Sequence, residues 1–114
     1  MTFDYLVPAA FVAFVAWRAI SSWYVRRKVP ELLREGAQIV DVRTPAEHAA
    51  GHPSQSRNIP LGELGDRDRS KELNPERWVV VCCASGSRSA IARRLLRRHG
   101  FVRVFNAGSW RRLP

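Results

Sequence analysis

The sequence predicts an α/β fold, a mostly parallel sheet flanked by helices, preceded by one N-terminal transmembrane helix. Three observations carry this reading. Short apolar runs of strand character alternate with helix-patterned stretches, the order that builds parallel sheets. The run Trp78-Val79-Val80-Val81-Cys82 leads into the loop Cys83-Ala84-Ser85-Gly86-Ser87-Arg88-Ser89 and then into a helical pattern from Ala90 to His99. At the other end, Phe3 to Val25 reads FDYLVPAAFVAFVAWRAISSWYV and is followed at once by Arg26-Arg27-Lys28. A chain of 114 residues holds one domain of this kind and not two. Residues 1–28 are the membrane helix with its basic flank, and residues 29–114 are the sheet domain.

As a helix, the 23 residues from Phe3 to Val25 extend about 35 Å, enough for a hydrocarbon core of about 30 Å. Arg18 lies within two turns of the basic cluster, so its side chain reaches toward the same interface. Trp17, Trp23 and Tyr24 form an aromatic belt on that side, and Pro8 falls in the first turns, where proline is tolerated. A cleaved signal peptide would need a basic n-region and a small-x-small site after the apolar run, and neither is seen. A helix lying in the interface is the alternative to one that spans. Positive charge only after the segment places the N-terminus outside and the sheet domain in the cytoplasm, as a single-pass protein of the inner membrane.

Pro30 to Glu35 reads as a separate short helix, with Pro at its start and Gly36 just past its end. Gln38 to Asp41 is a short strand, with Ile39 and Val40 buried on opposite faces of the sheet. Thr44-Pro45-Ala46-Glu47 is a capping box that starts a helix ending by Gly51. Asn58-Ile59-Pro60 is a second extended segment, and Asp66 to Glu72 is a solvated loop or exposed helix. Trp78 to Cys82 is the central strand and Ala90 to His99 its following helix, stopped by Gly100. Val102 to Phe105 is the last strand, and Gly108 begins the exit loop. In such sheets ligands bind at the carboxyl ends of the strands, which is where Cys83 stands.

The net charge is +9, and nine arginines with no acidic residue lie between Arg77 and Pro114. So basic a chain invites a nucleic-acid reading. However, Arg93, Arg94, Arg97 and Arg98 alternate with Ile91, Leu95 and Leu96 as on the solvated face of an amphipathic helix. Beside a membrane the same charge is drawn to anionic headgroups, so lipid is the expected partner and nucleic acid is not. Cys82 and Cys83 are adjacent, which argues against a disulfide framework and fits a reducing compartment. His48, His52 and His99 are scattered with no metal-ligand spacing, and neither metal nor cofactor is expected.

The loop carries the chemistry. A strand, a short loop from Cys to Arg and a helix N-terminus form a cradle in which backbone N–H groups converge on one point, at the positive end of the helix dipole. A cysteine there loses its proton more easily than a free thiol, and the thiolate is the nucleophile. Cys82, pointing the other way from the strand end, reads as a buried small hydrophobe.

Ile39-Val40-Asp41-Val42-Arg43 with Glu47, Gly51-His52 and Asn58-Ile59-Pro60-Leu61 resemble the first half of a rhodanese domain. Val79 to Ser89 resembles its active-site strand and loop, and Gly100-Phe101, Val104 and Gly108-Ser109-Trp110 its closing segment. The resemblance covers Pro30 to Trp110, and one membrane helix ahead of such a domain is an arrangement found in bacteria. It implies a sulfurtransferase in which Cys83 takes sulfane sulfur from a small donor such as thiosulfate, holds it as a persulfide and passes it to a thiol or cyanide-like acceptor. Ala84, Ser85, Gly86, Ser87, Arg88 and Ser89 are the implied substrate-binding residues, with Arg88 bracing the loop or meeting an anionic donor. Asp41, Arg43, Glu47 and His52 match positions that hold the fold near the site. Two departures stand out. Pro53-Ser54-Gln55-Ser56 replaces the family's Ile-x-Gly-Ala, which affects the local turn, and Gly108-Ser109 replaces a Gly-Gly pair.

Two other functions fit the same loop. One is a phosphatase or arsenate reductase, but those relatives carry one more residue than the four between Cys83 and Arg88. The other is a non-catalytic sulfur carrier or protein-docking module using the arginine-rich face.

Overall fold

The computed structural model describes residues 3–114. Its elements are α1 (Phe3–Arg34), β1 (Gln38–Asp41), α2 (Pro45–Ala50), β2 (Arg57–Asn58), α3 (Leu61–Leu64), α4 (Arg67–Ser70), β3 (Val79–Cys83), α5 (Ser87–Arg98) and β4 (Val104–Ser109). A 3₁₀ turn over Trp110–Arg112 closes the chain. The strands form one sheet in the order β2-β1-β3-β4, every pair parallel. This is the parallel sheet flanked by helices that the alternation of strand and helix patterns implies.

Both faces of the sheet are covered, so β3 is buried along its whole length and side-chain alternation sorts it into two cores. Val79, Val81 and Cys83 face Leu64, Ala92 and Leu96 of α3 and α5. Val80 and Cys82 face Val25, Val29 and Leu32 of α1, together with Ile39 and Ala107. The two cysteines therefore point into opposite layers.

The first departure from expectation is at Pro30. No break occurs there: α1 is one helix of 32 residues, and the expected short helix over 30–35 is its last part. Val25, Val29 and Leu32, at i, i+4 and i+7, form the stripe that covers one face of the sheet. Burying three such side chains is worth about 5–9 kcal/mol, more than the ~3 kcal/mol that an interior proline costs a helix. Gly36, at φ +89°, then closes the helix, and the Ala37 N–H donates to Leu32 O at 2.9 Å. Residues Phe3 to Ile20 are all exposed, and the helix is long and apolar enough to cross a membrane, with a mean hydropathy of 1.5 in its most apolar stretch.

Further boundaries differ: β2 is Arg57–Asn58, not 58–60, and β3 runs Val79–Cys83, so Cys83 ends the strand instead of opening the loop. Helix α5 begins at Ser87, not Ala90, so Ser87, Arg88 and Ser89 form its first turn instead of a loop. Strand β4 runs on to Ser109, and Gly108 lies inside it. A bulge there lets Val81 pair with Asn106 while Cys82 pairs with Gly108. Helix α3, after Pro60, has no sequence signal beyond Leu61 and Leu64. The capping box of α2 is formed as expected: the Glu47 N–H donates to Thr44 Oγ1 at 3.2 Å, and the Thr44 N–H donates to Glu47 Oε1 at 3.1 Å.

Candidate active site

Cys83 is the last residue of β3 and is buried, at the carboxyl edge of the sheet. The chain turns there through Ala84, Ser85 and Gly86, and Gly86 sits at φ +110°, a conformation other residues adopt only under strain. That turn aims the Gly86 N–H back at the sulfur, 2.9 Å from Cys83 Sγ. Gly86 is also the N-cap of α5, which adds the positive end of the helix dipole.

Ser89, one turn into α5, is buried with its hydroxyl 3.5 Å from Cys83 Sγ. The same oxygen lies 3.0 Å from Gly86 O and 2.6 Å from Asn106 Oδ1. Asn106 Oδ1 also accepts the Gly108 N–H at 2.9 Å, so two donors fix the amide's orientation. Asn106 is invisible to sequence reasoning, because only the bulged register of β4 brings it to Ser89.

Burial pushes the Cys83 thiol up, but the Ser89 hydroxyl and the backbone N–H groups of Ser89, Gly86 and Ser85 outweigh it and hold the thiol below its ordinary value. Cys82 is driven the other way, first by burial and then by the Asp41 carboxylate. Of two adjacent thiols, one is prepared to ionise and the other is kept neutral.

Arg88 does not point at the sulfur. Its guanidinium makes a two-pronged ion pair with Glu47, Nη1 to Oε1 at 2.7 Å and Nη2 to Oε2 at 3.0 Å. This brace ties the first turn of α5 to α2. Arg88, followed by the backbone of Thr44, holds the Glu47 carboxyl down at about 2. Beneath it, the buried Asp41 accepts Arg43 Nη2 at 2.7 Å and pairs with His48 Nδ1 at 2.9 Å, and Arg43 Nη2 donates to Gly51 O at 2.6 Å. The Arg43 guanidinium also stacks 4.6 Å from the Trp110 ring. His52 stacks on His48 with ring centres 3.9 Å apart. Asp41, Arg43, Glu47 and His52 thus form a frame around the loop.

Ala84, Ser85 and Ser87 are exposed at the mouth. Two grooves flank the loop. One, of about 310 Å³, is lined by Arg43, Glu47, Ala84 and Trp110. The other, of about 380 Å³, has Ser85 and Gly86 on one side and Phe14, Trp17, Arg18 and Ser21 of α1 on the other. A cavity of about 440 Å³ near His99 and Phe101 contains none of the loop residues. No group of three or more His, Cys, Asp or Glu is placed to hold a metal among the described residues. In the 53–56 turn the Ser56 N–H donates to Pro53 O at 3.1 Å, and Gln55, at φ 64°, adopts the left-handed conformation.

The family model for the rhodanese-like domain matches residues 26–111. The YqhL protein of Bacillus subtilis is 32% identical over 108 residues, covering 89% of this chain and 84% of its own, so the likeness reaches into α1. A thiosulfate sulfurtransferase of Pseudomonas aeruginosa, GlpE, is 34% identical over 79 residues, 69% of this chain and 70% of that one. Among solved structures, a rhodanese with anions from E. coli superposes with a TM-score of 0.62 at 30% identity, over 68% of this chain and 94% of that one.

Proposed function

Because the chain belongs to the rhodanese-like domain family, we propose that it is a sulfurtransferase working through a persulfide on Cys83. The observation that carries this is the Gly86 N–H aimed at the buried Cys83 Sγ from 2.9 Å. A donor held there stabilises the thiolate before reaction and, after it, the sulfur atom bound to Cys83.

With thiosulfate as donor, the Cys83 thiolate attacks the outer sulfane sulfur. A Cys–S–S bond forms, the donor's S–S bond breaks, and its electron pair leaves with sulfite. A cyanide or thiolate acceptor then attacks the terminal sulfur and restores the Cys83 thiolate. No proton, oxidant or metal is needed in either step. The chain's own contribution is electrostatic: the backbone N–H groups of Gly86, Ser85 and Ser89 donate to the sulfur, Asn106 holds the Ser89 hydroxyl beside it, and the Arg88–Glu47 pair holds the loop's far end.

Full-length protein given thiosulfate and cyanide is expected to release thiocyanate, and Cys83→Ser to abolish it. Turnover of p-nitrophenyl phosphate without sulfur transfer would reassign the loop to phosphoryl chemistry. The short spacing from Cys83 to Arg88 speaks against that assignment. A second reading, a sulfur carrier, rests on a Bacillus subtilis protein named a putative sulfur carrier, 38% identical over 72 residues that make up 38% of its length. It predicts persulfide on Cys83 with no catalytic turnover.

The apolar first part of α1, followed by Arg26, Arg27 and Lys28, supports a tether to the inner membrane, spanning it once or lying in its interface, with the sheet domain in the cytoplasm. The arginine-rich face of α5 adds attraction for anionic headgroups.

A further inference from the structure

The groove between α1 and the Cys83 loop is not explained by a helix that merely anchors. We propose that the N-terminal helix is part of the active site: its Phe14–Ser21 turns and the Cys83 loop form the groove that binds an oxyanion-bearing sulfur donor, with Arg18 and Arg112 as its charge partners. This rests on the sulfurtransferase reading and adds to it two binding residues that lie outside the active-site loop.

Position is the first argument. Ser85 and Gly86 form one side of the groove, and the Gly86 N–H touches the nucleophilic sulfur. Gly86 packs against Gly108, the Arg112 guanidinium lies over Gly108, and both line the same groove. The cationic end of Arg112 is therefore one backbone layer from the residue that contacts Cys83.

Charge is the second. Among the described residues, no ion pair links Arg18 or Arg112 to a carboxylate, whereas Arg43 is engaged by Asp41 and Arg88 by Glu47. Arg112 makes only long contacts, 3.4 Å to Ser21 Oγ and 3.5 Å to Ala107 O, which leave its donors available. Its own burial, and then the nearby charges of Arg18 and Arg26, push its pKa down. A bound anion relieves that crowding of like charges. The opposite groove has the Glu47 carboxylate in its wall, which disfavours an anion.

The third argument is the apolar wall. Phe14 and Trp17, both exposed, form the α1 side of the groove next to Arg18. The Arg18 guanidinium sits 5.9 Å from the Phe14 ring centre, which holds it at the groove. The groove needs Phe14–Ser21 outside the hydrocarbon core, so it forms with α1 lying in the interface, the alternative to a span from Phe3 to Val25, and the active site then opens at the membrane surface.

The test uses full-length protein in phosphatidylcholine nanodiscs, with Arg18→Ala, Arg112→Ala and the double variant. Each arginine removed is expected to raise KM for thiosulfate roughly tenfold with kcat and the persulfide yield at saturating donor unchanged, and Arg18→Lys to recover most of the loss. Sulfate, an unreactive oxyanion, is expected to slow iodoacetamide labelling of Cys83 in the wild type and not in the double variant. Should Arg112→Ala fail to fold, exposed Arg18 on its free stretch of helix carries the test alone. An unchanged KM in Arg18→Ala, with equal sulfate protection, overturns the proposal. So does protection by phosphatidylglycerol nanodiscs in place of sulfate, which would make the groove a headgroup site. Sulfate protection that depends on the arginines, in a protein with no turnover, would leave the groove standing and remove the sulfurtransferase reading instead.

Discussion

Replacing Gly86 with alanine separates a loop that wraps the sulfur from one that merely precedes a helix. At φ +110° an L-residue is strained, and a sparsely populated backbone conformation costs about 1–3 kcal/mol. Room is not the obstacle, since the new Cβ would meet Gly108 Cα at 3.4 Å, an ordinary contact. The loop can accept the strain and lose stability, or rotate the peptide and carry its N–H off Cys83 Sγ. A hydrogen bond to a charged group contributes about 1.5–3 kcal/mol. Its loss lowers thiolate reactivity at fixed pH by roughly ten- to a hundredfold. Gly86→Val should be worse, because a branched side chain resists the positive φ more strongly and presses harder on Gly108. The assays are Cys83 labelling by iodoacetamide across pH, read by fragment mass spectrometry, with thermal melting of the same samples. Wild-type labelling rate and wild-type melting in Gly86→Ala would refute the reasoning, since neither form of the cost would have appeared.

Arg88→Lys should keep the fold and lose turnover, because an ammonium cannot reproduce the two-pronged contact with Glu47; the expected order of activity is wild type, Arg88→Lys, Gly86→Val, Cys83→Ser. The Glu47 carboxyl, with an ordinary value of 4.5, is held at about 2 in the folded protein, so its contribution is fully present above pH 4.5 and is lost as pH falls toward 2. Melting followed through that window should show a dependence that is absent from Glu47→Gln. Asp41→Asn leaves the Arg43 guanidinium without its carboxylate in a buried site and should cost about 3–5 kcal/mol in urea denaturation. Gln55→Gly relieves a left-handed residue worth about 1–2 kcal/mol and returns roughly half of that as chain entropy, so equal or slightly higher stability is expected. A measured loss would contradict that account of the turn.

What could be read in the sequence was local. Thr44, Pro45 and Glu47 lie within one turn of each other, and the capping box they encode is formed atom for atom. Alternation along Val79 to Cys83 needs only a strand covered on both faces, and it sends Cys82 and Cys83 to different cores. Local rules also misled where packing outweighed them. Pro30 looks like a helix start, yet Val25, Val29 and Leu32 gain more by covering the sheet in one continuous helix. Ser87 and Ser89 are weak helix formers, yet a glycine in the left-handed region ahead of them starts α5 at once. Contacts between distant segments had no signature. Arg88 meets Glu47 across 41 residues, Ser89 meets Asn106 through a bulge, and α1 walls the loop only because its last turns dock on the sheet.

The central claim is that Cys83 carries sulfane sulfur, and intact-protein and peptide mass spectrometry after exposure to thiosulfate tests it most directly. The account predicts a gain of one sulfur atom located on Cys83, equimolar release of sulfite, and loss of that gain when cyanide is added. Unmodified Cys83 with no sulfite released, or sulfur found on Cys82 instead, would contradict it.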